Sequence, residues 1–103
     1  MFLRFISANT DHRYINGNLT ANTYVTTAND AVHVNTGFAV VVRYALPLPL
    51  PANRRIEYKV PKGTKTQVGT VAPNFGQAGG GVEIFLPEAT STTQISTSDI
   101  TDF

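Results

Sequence analysis

Cysteine is missing altogether from this 103-residue chain, charged residues make up only 15% of it, and no apolar run is long. Without cysteine there can be no disulfide, no thiolate metal site and no cysteine nucleophile. The two histidines, His12 and His33, stand in unrelated contexts, so neither metal-ligand spacing nor a Cys/His catalytic pair is available. Nothing resembles a phosphate-cradling loop at a strand-to-helix turn, because Gly79-Gly80-Gly81 leads into a strand. The formal charge of +1 gives a weak overall field and no general affinity for polyanions. Five of the eight basic residues, Arg54, Arg55, Lys59, Lys62 and Lys65, do fall close together. A solvated strand-and-turn surface accounts for that cluster, and an acidic or nucleic-acid partner is the sharper alternative.

No segment approaches the roughly 20 apolar residues that cross a bilayer, so no membrane partner is expected. Met1 to Ile6 lacks the apolar core of a signal peptide. Export would therefore depend on something outside this sequence, and the chain reads as a domain cut from the C-terminus of a longer protein. A domain without staples also suits refolding after passage through a secretion machine.

What is present suffices for one domain with one modest core: 42% hydrophobic residues, including six Phe and four Tyr. Residues 2 to 6 read as a strand with Arg4 in its middle, and Asp11 to Thr23 as a polar surface connection. Thr23 to Thr27 is β-branched or aromatic throughout and reads as a second strand. Thr27-Ala28-Asn29-Asp30 then matches a capping box, predicting a short helix over about 28 to 35. Phe38 to Leu46, broken only by Arg43, reads as the central core strand. Leu46 to Pro51 alternates leucine and proline, an extended spacer or, less simply, a polyproline ligand. Arg55 to Val60 alternates with Ile56, Tyr58 and Val60 inward, and Thr66 to Val71 forms a further strand. Beyond Glu88 the Ser/Thr-rich tail reads as loosely packed. Short strands with one short helix and no βαβ rhythm give an α+β domain, mostly β, with two small packed sheets.

The chemistry centres on Glu83, an acid opening the apolar strand Val82-Glu83-Ile84-Phe85-Leu86 directly after a glycine-rich loop. Such a loop admits close approach to its backbone, while the strand holds the carboxylate on rigid scaffold. A Gly-rich hairpin followed by an edge-strand Glu is the plainer reading of the same residues. Arg4 can fork onto a phosphate or ribose, and Thr26 can orient Glu83. A carboxylate so held favours positive charge developing on a sugar carbon during glycosidic cleavage.

Arg4-Phe5, Tyr24-Val25-Thr26-Thr27 and Glu83 resemble the Arg, Ser/Thr-x-Ser/Thr and Glu pattern of ADP-ribosyltransferases. More specifically, Gly37-Phe38, Arg43-Tyr44-Ala45-Leu46-Pro47 and the stretch Val68 to Glu83, with Ala72-Pro73-Asn74-Phe75-Gly76-Gln77-Ala78-Gly79-Gly80-Gly81, look like the toxin domains at the C-terminus of bacterial Rhs polymorphic proteins. Among these the TreTu type, which modifies elongation factor Tu, is the most similar. The resemblance implies an ADP-ribosyltransferase-like fold over residues 1–103 and NAD as co-substrate without a metal. It implies Glu83, Arg4 and Thr26 as catalytic residues, with Tyr24, Thr27 and Phe38 helping to bind NAD. Phe75 and Gln77 would lie on a loop that recognises the target. It further implies a cognate immunity protein, delivery as part of a larger secreted Rhs effector, as by type VI secretion, and action in the cytoplasm of a target bacterium.

The hydroxyl motif is Val-Thr-Thr rather than Ser-Thr-Ser, and Gly81 stands two before Glu83 where a Glu or Gln is usual. The same stretch resembles necrotizing NAD glycohydrolase toxins, in which Gln is expected at the position of Glu83. A carboxylate there can deprotonate an acceptor, which an amide cannot. His12 and Arg13 are rival first-strand candidates. Ribosomal RNA as acceptor, NAD hydrolysis, and a non-catalytic β-rich binding module are the alternatives to protein modification.

Overall fold

Strand pairing in this chain is almost entirely between segments distant in sequence. The computed structural model describes residues 1–7, 11–46 and 52–100. Its elements are β1 (Phe2–Ile6), β2 (Tyr14–Ile15), β3 (Asn18–Leu19), β4 (Thr23–Thr27), α1 (Ala28–Ala31), α2 (Gly37–Tyr44), β5 (Arg54–Lys59), β6 (Gln67–Thr70), β7 (Val82–Leu86), β8 (Thr90–Ser91) and β9 (Thr93–Asp99). Six strands form one antiparallel sheet in the order β6-β7-β4-β1-β5-β9, and β2-β3-β8 form a second. The domain is thus α+β and mostly β. Most of the leucine-proline segment lies outside the described residues.

The two faces of the large sheet are buried against different partners. Alternation sends Ile6, Val25, Ile56, Tyr58, Ile84 and Leu86 to one face, where Leu19 from the small sheet completes the cluster. On the other face Val40, Tyr44 and Ala45 of α2 and its cap pack with Ala52 and Val71, against Phe5. Ile56 and Tyr58 are buried as their alternation predicts, while Val60 falls just beyond β5 and is half-buried.

Three expectations are corrected. Phe38 to Leu46 is no strand: Gly37–Tyr44 is a helix whose N-cap, the Thr36 hydroxyl, accepts from the Ala39 amide at 3.1 Å. Its buried residues Gly37, Val40, Val41 and Tyr44 recur at helical spacing, and Ala45 ends it in the left-handed conformation at φ 47°. α1 is capped by Thr27 as expected, the hydroxyl accepting from the Asp30 amide at 3.1 Å, but it stops at Ala31. Val32 still lies in the right-handed region, at φ −65° and ψ −16°, and the tighter bonds from His33 N–H to Asp30 O and from Val34 N–H to Ala31 O close the last turn. The polar connection from Asp11 to Thr23 contains a hairpin, with Asn16 and Gly17 both at positive φ, 52° and 80°, between β2 and β3.

The Ser/Thr-rich tail supplies β8 and β9. Although every residue of β9 is exposed, its backbone pairs with β5 from Arg54↔Asp99 to Lys59↔Thr93. Residues 101–103 lie outside the described residues.

β4 changes partner along its length. Thr23, Tyr24 and Val25 pair with Leu86, Phe85 and Ile84 of β7, whereas Thr26 and Thr27 pair with Leu3 and Phe2 of β1. The large sheet is therefore two half-sheets sharing one strand, and they part at Thr26.

Candidate active site

Three of the residues singled out by sequence, Tyr24, Thr26 and Glu83, meet where β4 leaves β7. Tyr24 lies opposite Phe85, and their rings meet at 4.9 Å between centroids with a 46° tilt. Two residues further along each strand, on the same face, stand Thr26 and Glu83. On the other side of β7, Gln67 is opposite Phe85 and Gly69 is opposite Glu83. This face thus carries an aromatic pair beside a carboxylate, and Tyr24 is 54% exposed, so the pair is open to a ligand. Glu83 is half-buried, and among the described residues its carboxylate has no hydrogen-bond or ion-pair partner.

On the side facing β4, where the ladder stops at Ile84, the backbone just before Glu83 is held by a side chain instead. The Thr26 hydroxyl donates to the Val82 carbonyl at 2.7 Å. The Val82 amide faces the Asp30 carboxylate and helps to hold its pKa down. One residue earlier, the Gly81 amide donates to the Arg43 carbonyl at 3.0 Å, and the Gly81 carbonyl accepts from the Val71 amide at 2.8 Å. Thr26 therefore ties down the backbone next to Glu83, its hydrogen bond going to the Val82 carbonyl and not to the Glu83 side chain.

Asp30 is the hub of this clamp. Its carboxylate takes Arg43 Nη2 at 2.6 Å, Arg43 Nε at 3.0 Å and the Tyr44 hydroxyl at 2.8 Å. The Arg43 fork holds the Asp30 carboxyl down at about 2, against the desolvation that works to raise it. Burial, followed by the adjoining Asp30, pushes the Tyr44 hydroxyl up to about 12.

The glycine-rich loop is anchored at its C-terminal end. A Cβ on Gly81 would sit 2.6 Å from Tyr44 Cε1 and 2.9 Å from Arg43 Cγ, so the residue is glycine because helix α2 packs against it. Gly79, at φ +74°, would place a Cβ 2.5 Å from the Val71 carbonyl oxygen. The loop tip differs. Asn74 and Gln77 close a tight turn on each other's backbones at 3.1 and 2.8 Å, and Phe75 stands 58% exposed at φ 51°.

Arg4 does not join this group. It alternates with Phe2 and Ile6 toward the opposite face, where it forks onto Asp11 at 2.6 and 3.1 Å and reaches the Tyr24 carbonyl at 2.8 Å. The Tyr58 hydroxyl donates to the same Asp11 carboxylate at 2.9 Å. Burial raises the Asp11 carboxyl, but the Arg4 fork and charge outweigh it, and the net position is below the usual range. Burial and Asp11 raise the Tyr58 hydroxyl. The first-strand rivals are no nearer the site: His12 and Arg13 are exposed, and the Arg13 amide donates to Asp11.

Thr27 spends its hydroxyl capping α1, and Phe38 is exposed on the first turn of α2. Of the basic cluster, Arg54 pairs with Asp99 and Arg55 with Glu57, each at 3.2 Å. Sequence reasoning missed Asp30, Arg43, Tyr44 and Asp11 as members of polar networks. An apolar segment interrupted by Arg43-Tyr44, with Asp30 already marked as a cap residue, was the available signal for the first three. Among the described residues no three His, Cys, Asp or Glu side chains form a metal-binding group, and no helix is long and apolar enough to cross a membrane.

No protein-family model, curated protein sequence or solved structure matches this chain.

Proposed function

We propose that the chain is an ADP-ribosyltransferase toxin domain that breaks the nicotinamide–ribose bond of NAD and transfers ADP-ribose to a bacterial translation component, with elongation factor Tu as the leading target. The observation that carries this reading is the open aromatic pair Tyr24–Phe85 on the same face as Glu83, whose carboxylate has no partner among the described residues. A flat heteroaromatic ring stacks on such a pair. The adjoining anion stabilises the oxocarbenium-like ribose formed as the C–N bond breaks and its electron pair neutralises the pyridinium nitrogen. The acceptor then bonds to the ribose carbon, and Glu83 takes the acceptor's proton.

The arrangement supports Glu83 as the catalytic residue and Tyr24 as a binding residue, with Thr26 positioning the strand. Arg4, turned to Asp11, would act on NAD only through the fold. Phe75, held outward at the loop tip, suits contact with the target together with Gln77. A cognate immunity protein, a larger Rhs effector as carrier and the cytoplasm of a competing bacterium as the place of action belong to the same reading. Because Tyr24 is open to solvent, water is a ready competitor for the acceptor, which favours an NAD glycohydrolase as the second reading.

The test is incubation of the domain and its Glu83→Gln variant with labelled NAD and a bacterial lysate, with protein and RNA resolved afterwards. Transfer predicts a labelled protein that falls about 10²–10³-fold in the variant, at an unfolding midpoint unchanged within about 0.5 kcal/mol. NAD loss without labelled macromolecule selects the glycohydrolase, and label removed by nuclease selects RNA. No NAD turnover leaves only a binding module.

A further inference from the structure

β6 ends the large sheet on the side of Glu83. All four of its residues are exposed, Val68 to 70%, and none is charged or proline. Natural edge strands are usually blunted by lysine, proline or a covering segment, because a bare edge recruits another strand. The opposite edge, β9, is equally exposed but lies four strands from β7.

The hydrogen-bond phase of β6 sets what its free edge offers. The Val71 amide donates to Gly81 at 2.8 Å, and two residues back in register Gly69 faces Glu83. Alternation then turns the Gly69 and Gln67 backbone groups toward β7 and those of Val68 and Thr70 outward. Gly69 itself has no side chain between this edge and Glu83. A Cβ built there meets only the Glu83 side chain, at 3.8 Å to Oε1, so neither steric clash nor positive φ requires glycine. A glycine inside a strand weakens it and often marks a site where another molecule approaches closely.

We propose that the acceptor protein docks by adding an extended segment to β6, with its acceptor side chain lying across Gly69 to reach Glu83. This rests on the transferase reading above and adds to it the form in which the target is presented. Adjacent strands lie about 4.8 Å apart, so the added strand runs roughly 10 Å from β7. A long side chain ending in an N–H or O–H nucleophile covers that span over a glycine and is obstructed by any bulkier residue. Main-chain bonds to Val68 and Thr70 supply the affinity, and the Gly69 gap supplies the selection. In the transfer step the nucleophile bonds to the ribose carbon as nicotinamide leaves with the electron pair, and the nucleophile's proton passes to Glu83.

The experiment compares wild type, Val68→Pro, Thr70→Pro and Gly69→Val for two readouts: labelling of lysate protein from labelled NAD, and NAD consumption without lysate. Proline at 68 or 70 deletes an outward amide and spares the inward ladder. The expected result is at least a tenfold loss of protein labelling in each variant, with NAD consumption within about twofold of wild type for the proline variants. Should circular dichroism show both proline variants unfolded, Gly69→Val decides, since the Cβ it adds meets Glu83 only at ordinary contact distance. Its NAD consumption, read beside its labelling, separates a blocked docking edge from a disturbed Glu83. Labelling by a folded variant at the wild-type level overturns strand addition while leaving the transferase standing. Wild-type protein that neither labels lysate protein nor consumes NAD overturns the transferase reading and this one with it.

Discussion

Replacing Gly81 with alanine inserts one methyl group where helix α2 meets the start of β7. The methyl carbon would lie 2.6 and 2.7 Å from two carbons of the Tyr44 ring and 2.9 Å from Arg43 Cγ. Carbon atoms rest comfortably at about 3.5–4.0 Å, so ring or strand must give way by close to 1 Å. The ring has little freedom to do so. It stacks on Phe5 at 5.7 Å with a 16° interplanar angle, and its hydroxyl is tied to Asp30 at 2.8 Å. Overpacking of this kind costs about 1–3 kcal/mol. The lost freedom of the unfolded chain returns roughly 0.4–1 kcal/mol, and Gly81 has no positive φ that would add strain. A net destabilisation of about 1–2 kcal/mol follows, equivalent to ~5–10 °C in Tm for a domain of this size. Urea titration measures it, and a double-mutant cycle with Tyr44→Ala locates it, because truncating the ring should recover most of the loss. A neutral or stabilising Gly81→Ala would show that the ring does not close on the loop, and the clamp on Glu83 would fall with it.

Arg4→Met should cost about 3–5 kcal/mol, because it leaves the Asp11 carboxylate, 2% exposed, buried without its countercharge; chemical denaturation checks this, and a stable variant that consumes no NAD would return Arg4 to the active site. Asp30, buried and held at about 2 against 3.8, contributes stability that is complete above the unfolded pKa and fades as pH falls toward 2. The amount is about 2 kcal/mol, and acid unfolding monitored by circular dichroism should lose that limb in Asp30→Asn. At the other extreme Tyr44, raised from 10 to about 12, contributes stability that is present below pH 10 and lost as pH rises through 12. Phenolate absorbance should therefore show a late step that coincides with unfolding and loses one tyrosine's amplitude in Tyr44→Phe, the raised Tyr58 hydroxyl supplying the rest.

Strands β1, β4, β5, β6 and β7 were legible because each satisfies a local rule, whereas β2, β3, β8 and β9, short or rich in Ser and Thr, satisfy none. Ile56 and Tyr58 alternate inward, Thr23 to Thr27 is β-branched or aromatic, and Val82 to Leu86 follows a glycine-rich turn. Glu83 and Tyr24 could be singled out for similar reasons. Phe38 to Leu46 could not be assigned by composition, since a short apolar run with three valines suits a buried strand and a buried helix equally. Thr36 as a cap and the spacing of Gly37, Val40, Val41 and Tyr44 decide for the helix. The clamp of Asp30, Arg43 and Tyr44 was illegible because it exists only once that helix lies on the loop. Arg4 misled for a related reason: strand position fixes which face a side chain takes, and the partner on that face, Asp11, comes from a connection with no period of its own.

β1, the first strand in sequence, sits at the interior of the sheet, flanked by β4 and by β5 some fifty residues on, while β4 in turn waits for β7 near residue 84. The centre of the sheet, β4-β1-β5, needs the whole of residues 2 to 59 before it can form. Chain closure over such separations must precede any reward from pairing, which places folding in the slow, millisecond-to-second class of β-rich domains. Until β7 docks, β4 carries its Thr23 to Val25 edge bare, so the clamp that fixes Glu83 is also among the last parts of the molecule to exist.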